Sequence, residues 1–294
     1  MAGVTNTGRD WIHGMERFTE NPRRSDITMK KHRSSRSIAV LLASCIAVAV
    51  GGVASAVPTP AHLHFGQAVS VGDGTARAYA TVDADGAPTA VGIRFSPAAL
   101  DGLPDADGMY MLHLPVQASD TVFDHVMLNW NPRGHDPTVL FGKPHFDVHF
   151  YMTDMAAIEA IDPAAPDYAA RAERLPDPKY MPGDYVTPPG MLASQLAVPF
   201  MGVHWLDITE GMVPGVYDFT ETFVNGSWDG DYTFMEPMIT REWLLTRPTI
   251  REQIKLPAAY QHSAWYPTVY SVGFDEQAQE YDIALGGMVP RQAS

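Results

Sequence analysis

Pro144-His145-Phe146-Asp147-Val148-His149-Phe150-Tyr151 alternates polar and apolar side chains with a period of two. Written as a β-strand, it puts His145, Asp147, His149 and Tyr151 on one face and Phe146, Val148 and Phe150 on the other. A helix would bring the i, i+4 histidines together directly, but alternating aromatic residues oppose that reading. Two imidazoles and a carboxylate on one face are the raw material of a metal or proton-transfer site. Geometry limits what they can share. Four residues along a strand cover about 13 Å, so His145 and His149 barely reach one ion, whereas neighbours two apart stand about 7 Å apart. Either Asp147 shares a site with one histidine, or a bulge brings both histidines together. The ordinary alternative is a solvated strand face.

The sequence on either side of this strand reads the same way. Gln67–Gly72, Thr75–Val82 and Thr89–Ser96 are predicted strands, the last two joined through Asp83-Ala84-Asp85-Gly86. Met109–Leu114, Val122–Trp130, Phe200–Leu206, Tyr217–Val224 and Asp231–Met238 follow, and Thr268–Phe274 pairs with Gln279–Leu285. Short helices are expected after Ser96, after Thr153 or Asp154, and after Thr240. Residues 162–199 are proline-rich and lack periodicity, a long irregular excursion of the kind that is often functional or mobile. Short strands with Gly, Pro and Asp turns predict an all-β fold, a mainly antiparallel sandwich or barrel with a few short helices.

The N-terminus reads as an address. Lys30, Lys31, Arg33 and Arg36 precede an apolar run, Ile38–Val50, and Ala54-Ser55-Ala56 is a small-residue cleavage site. Met29 is the expected start, residues 1–28 an over-extended frame, residues 29–56 a signal peptide and residues 57–294 one exported β-rich domain. Cys45 in Leu42-Ala43-Ser44-Cys45 leaves a lipid anchor as a minor alternative. Cleavage after Ala56 removes the only cysteine, which excludes thiolate catalysis and cysteine-ligated zinc from the mature chain. Residues 1–56 hold 8 of the 20 Lys and Arg and 4 of the 34 Asp and Glu, so residues 57–294 carry 12 basic against 30 acidic residues, a net −18. So acidic a chain does not neutralise nucleic-acid phosphates and is repelled by anionic membranes. No apolar segment after residue 57 is long enough for a transmembrane helix.

Two other segments add chemistry. Phe200-Met201-Gly202-Val203-His204-Trp205-Leu206 is apolar on both faces, which predicts a buried His204 in need of a partner. Glu236 shares a strand face with Tyr232 and Phe234, costly unless it is paired, ligating or protonated; Arg241 is the nearest candidate partner. His145, His149, His204 and Glu236 are therefore the candidate metal ligands, with zinc the first choice. Glu236 and Asp147 are the candidate catalytic bases. His135 is placed as a loop-stabilising residue, with an outer ligand or proton shuttle as the alternative. His62 and His64 suit adventitious metal capture near a new N-terminus. Asp105-Ala106-Asp107-Gly108 lacks the later ligands of a calcium loop and reads as a turn. No serine nucleophile elbow, phosphate loop or dinucleotide fingerprint occurs.

Five blocks carry a resemblance: Gly74-Thr75-Ala76-Arg77 with its hairpin; Asn131-Pro132 with Gly134-His135; Pro144 to Tyr151; Val203-His204-Trp205; and Gly226-Ser227-Trp228-Asp229-Gly230 through Glu236-Pro237-Met238-Ile239-Thr240. Together they resemble an uncharacterised family of exported bacterial proteins whose domain type is named for a Thermus protein under sigma-E control. The resemblance implies export, a mainly β fold and a motif set containing His145, Asp147, His149, His204 and Glu236, and no mechanism. Trp228 stands where tyrosine is expected. The leading expectation is a metal-binding protein, as an enzyme a hydrolase or lyase. The alternatives are a non-catalytic, oligomeric protein using Trp205 and Trp228 at an interface, and a binder of a small molecule in an interior cavity.

Overall fold

The computed structural model describes residues 62–294. The start at Met29, the signal peptide and Cys45 lie outside the described residues. The strands are β1 (His62–Phe65), β2 (Val69–Val71), β3 (Gly74–Val82), β4 (Pro88–Phe95), β5 (Gly108–His113), β6 (His125–Asn131), β7 (His145–Tyr151) and β8 (Tyr185–Val186). They continue as β9 (Val203–Asp207), β10 (Glu221–Trp228), β11 (Asp231–Thr240), β12 (Ile250–Gln253), β13 (Ala264–Tyr266), β14 (Val269–Asp275), β15 (Glu280–Gly286) and β16 (Val289–Arg291). Short helices are α1 (Thr138–Phe141), α2 (Met155–Glu159), α3 (Tyr168–Ala172), α4 (Ala193–Leu196) and α5 (Arg241–Leu244). Among the described residues no helix is long and apolar enough to cross a membrane.

The expected all-β architecture is present, as a sandwich. One antiparallel sheet runs β1-β3-β4-β15-β14-β12, with β2 also on β3; the other runs β5-β6-β7-β11-β10-β9-β8. Ala78, Ile93 and Ile283 from the first sheet and Val126, Phe146, Val148 and Phe150 from the second form the core between them. The rings of Phe95 and Phe146 meet across it at 6.2 Å. Each large apolar side chain so buried contributes about 1.5–3 kcal/mol.

The opposite face of the second sheet is also covered. Ile158, Ile161, Ala172, Leu196 and Phe219 pack with Met127, Phe234 and Met238 into a second apolar cluster. The proline-rich excursion is thus a cap, and β7 is buried along both faces. That corrects the solvated-face alternative for the strand. Tyr151 Oη donates to the Phe200 carbonyl at 3.0 Å, tying sheet to cap.

Ser96 precedes the short helical turn Pro97–Leu100 without capping it, its Oγ accepting from the Thr75 N–H at 3.2 Å, while the other two expected caps form. Asp154 accepts from the Ala157 N–H at 2.8 Å and Thr240 from the Trp243 N–H at 3.3 Å. The β10–β11 turn is shorter than expected: β10 extends through Asn225–Trp228, and only Asp229 and Gly230 turn. Their φ values of 54° and 91° suit a two-residue hairpin whose twist matches its strands. His62 and His64 lie on edge strand β1, paired with β3.

Candidate functional site

Strand β7 sits between β6 and β11 in regular register with β6, Asn129 opposite Asp147 and Met127 opposite His149. No bulge interrupts that ladder, so the candidate ligands divide into two groups: His135, His145 and Asp147, and His149, His204 and Glu236. Within each group one ligand atom per residue lies within 4.8 Å of the others.

In the first group, His145 Nε2 lies 3.0 Å from Asp147 Oδ1 and His135 Nε2 lies 3.4 Å from Oδ2. Asn131 Nδ2 donates to Oδ2 at 2.7 Å. His145 Nδ1 faces the Lys143 carbonyl at 2.6 Å and His135 Nδ1 the Asp136 carbonyl at 2.9 Å. A carbonyl only accepts, so each Nδ1 carries a proton and each ring turns its Nε2 toward the carboxylate. Burial alone would raise the Asp147 pKa, but the charges of His145 and His135 beside it hold it well below the usual range. Burial opposes charge on His135, yet Asp147 brings it up to about 8. His135 reaches this place through Gly134, whose φ is 64° and whose added Cβ would lie 2.0 Å from the Phe141 carbonyl oxygen.

In the second group, His149 Nε2 lies 3.4 Å from Glu236 Oε1 and His204 Nε2 lies 3.5 Å from Oε2. Burial drives His149 down to about 3 and His204 down to about 4, so both rings are neutral near pH 7. Burial, reinforced by the Asp147 charge, pushes Glu236 well above the carboxylate range. Arg241 does not compensate it: its guanidinium donates to the Leu100 carbonyl at 2.7 Å and faces Asp101 at 3.4 Å. His204 is mostly buried but keeps 18 % of its side chain exposed; β8 pairs with Leu206 and Asp207 of β9 and not with His204. Gly226 lies opposite both His204 and Phe234, and the Phe234 ring crosses it to reach His204 at 5.2 Å.

Among the described residues eleven buried side-chain atoms have no hydrogen-bond partner, and five of them belong to the two groups: His145 Nε2, Asp147 Oδ1, both ring nitrogens of His149 and Glu236 Oε2. Such atoms cost free energy unless a ligand satisfies them. A cavity of about 280 Å³ joins the groups: His135, Asp147, His204 and Glu236 line one side, and Leu196, Val198, Met201 and Val224 another. None of its described lining residues is Lys or Arg.

The sequence named His145, Asp147 and His149 on one strand face and His204 and Glu236 in two other segments, and the structure groups them, with His135, in two sets. His135, expected to stabilise its loop, is the sixth. Its signal was its Gly-His turn ten residues before His145. Trp228 is buried at 5 % exposure under Tyr168, so it offers no interface surface; Trp205 donates to Ser227 Oγ at 2.8 Å.

No curated protein and no solved structure matches the chain. Residues 83–130, which run from the start of the β3–β4 turn through nearly all of β6, are similar to an uncharacterised family described as TTHB210-like, hypothetical protein TTHB210.

Proposed function

We propose that this protein is a metal-binding β-sandwich whose His149, His204 and Glu236 hold a divalent transition-metal ion, zinc first, and that it serves as a metal-dependent hydrolase or lyase. One observation carries the reading. Two imidazoles too acidic to be protonated near pH 7 aim their Nε2 atoms at one buried carboxylate that has no cationic partner. A proton can relieve that arrangement only by neutralising Glu236, whereas a divalent cation satisfies all three groups at once. Two histidines and a carboxylate leave coordination positions open, and the cavity gives a small molecule access to them.

A bound ion would acidify a water or polarise a carbonyl oxygen. Glu236, with both oxygens facing imidazoles, suits a ligand better than a free base. Asp147, held well below the usual range, is a weak base near pH 7. The apolar wall and the lack of Lys or Arg fit a neutral substrate better than a phosphorylated one. Metal content of the untagged chain tests the reading. A bound transition metal lost in His204→Ala, with the β-sheet circular dichroism unchanged, supports it. Full metal content in that variant overturns it.

A further inference from the structure

We infer that His135, His145 and Asp147 form a second divalent transition-metal site, opening on the same cavity as the His149, His204 and Glu236 group. The inference goes beyond the preceding reading and does not require it, because neither group shares a ligand with the other.

Three independent features point to a cation. Both imidazoles of this group have Nδ1 fixed on a backbone carbonyl, at 2.6 Å for His145 and 2.9 Å for His135. That orientation is how proteins present Nε2 to a metal, the outer bond setting tautomer and ring angle. Second, His145 Nε2 and Asp147 Oδ1 lie 3.0 Å apart yet neither has a hydrogen-bond partner. The pair is close but misaligned for a proton between them. Both side chains are more than nine-tenths buried, at 0 % and 5 % exposure. Third, Asn131 donates to Asp147 Oδ2, holding the carboxylate with Oδ1 turned to His145. The donor set of two imidazoles and one carboxylate suits zinc, manganese or iron rather than calcium or magnesium.

A protonated His135 is the competing account of the same contacts. It explains the 3.4 Å approach of His135 to Oδ2 but leaves His145 Nε2 and Asp147 Oδ1 unsatisfied. A metal ion satisfies both. Two ions opening on one cavity would present a bound molecule with two Lewis acids.

The test uses the full untagged chain, stripped with a chelator, equilibrated with zinc chloride and dialysed, with zinc per chain read by plasma mass spectrometry. The native chain is expected to hold two zinc ions. His135→Ala, which alters a partly exposed loop residue, and the isosteric Asp147→Asn should each hold one. His204→Ala should also hold one. One zinc in the native chain, unchanged in His135→Ala and Asp147→Asn and lost in His204→Ala, overturns the second site and leaves the first. One zinc lost in His135→Ala and Asp147→Asn but kept in His204→Ala upholds the His135 group and overturns the His204 group. Two zinc ions retained in both His135→Ala and Asp147→Asn, or no zinc in the native chain, overturn the inference.

Discussion

Glu221 and Glu236 are both driven up by burial, and their surroundings give that shift different meanings. Glu236 faces two imidazoles; Glu221, at the start of β10, faces only Glu252 and Glu210 as charged neighbours and rises to about 7. In the unfolded chain Glu221 returns to an ordinary value near 4.5. Between those values the folded state keeps a proton that the unfolded state has lost. The stability Glu221 confers is therefore complete below about pH 4.5 and disappears as pH rises through 7. Chelator-stripped protein should lose on the order of 2–3 kcal/mol from this group between pH 4.5 and 8. Glu221→Gln should lose correspondingly less over that range in urea unfolding; the same pH dependence in native and variant would refute the assignment. At the same scale, the sequence showed which β7 residues share a face, because alternation is local. It did not show which pairs would meet. The regular β6–β7 register keeps His145 and His149 apart, and the loop that returns His135 to Asp147 is a tertiary contact invisible to periodicity.

Strand β10 shows how one residue without a side chain shapes the site. A Cβ on Gly226 would lie 2.0 Å from Phe234 Cε1, and that ring packs against His149 at 4.8 Å and His204 at 5.2 Å. Gly226→Ala must push Phe234 off its place and into the imidazoles. Overpacking of this kind costs about 1–3 kcal/mol. The thermal midpoint should fall, and zinc should bind more weakly at His149, His204 and Glu236, while His135, His145 and Asp147 keep theirs. An unchanged melting curve in Gly226→Ala would mean that the ring has room to yield. The strands that sequence located best form local hairpins, β3 with β4 and β14 with β15. Those it missed are short edge pieces. Ile250-Arg251-Glu252-Gln253 exposes three of its four residues, so no alternation marks it as β12. Pro290 interrupts the signal of β16, and that strand tolerates it as the outer partner of β13.

The described residues form two apolar clusters with different obligations. The cluster between the sheets holds the sandwich together; the one beneath the cap encloses polar groups and a cavity. The cap is fastened partly by charge. Asp229, in the β10–β11 turn, pairs with Arg171 of α3 at 3.0 Å and with Arg174 beyond it, and Arg171 lies over the Trp228 ring. All three charged groups are partly exposed, so the pairs are worth at most about 1 kcal/mol each. That is small against global stability and large against the local opening of a short helix. Asp229→Asn keeps a residue that tolerates the left-handed turn and removes the charge. Its amide exchange should rise selectively in Tyr168–Ala172, with the urea midpoint little changed. Ile283→Ala, in the core between the sheets, should behave oppositely, lowering global stability by about 2–5 kcal/mol without singling out α3. If Asp229→Asn instead speeds exchange evenly through both sheets, cap and sandwich open as one unit. In that case access to the His204 side of the cavity cannot be adjusted without unfolding the molecule.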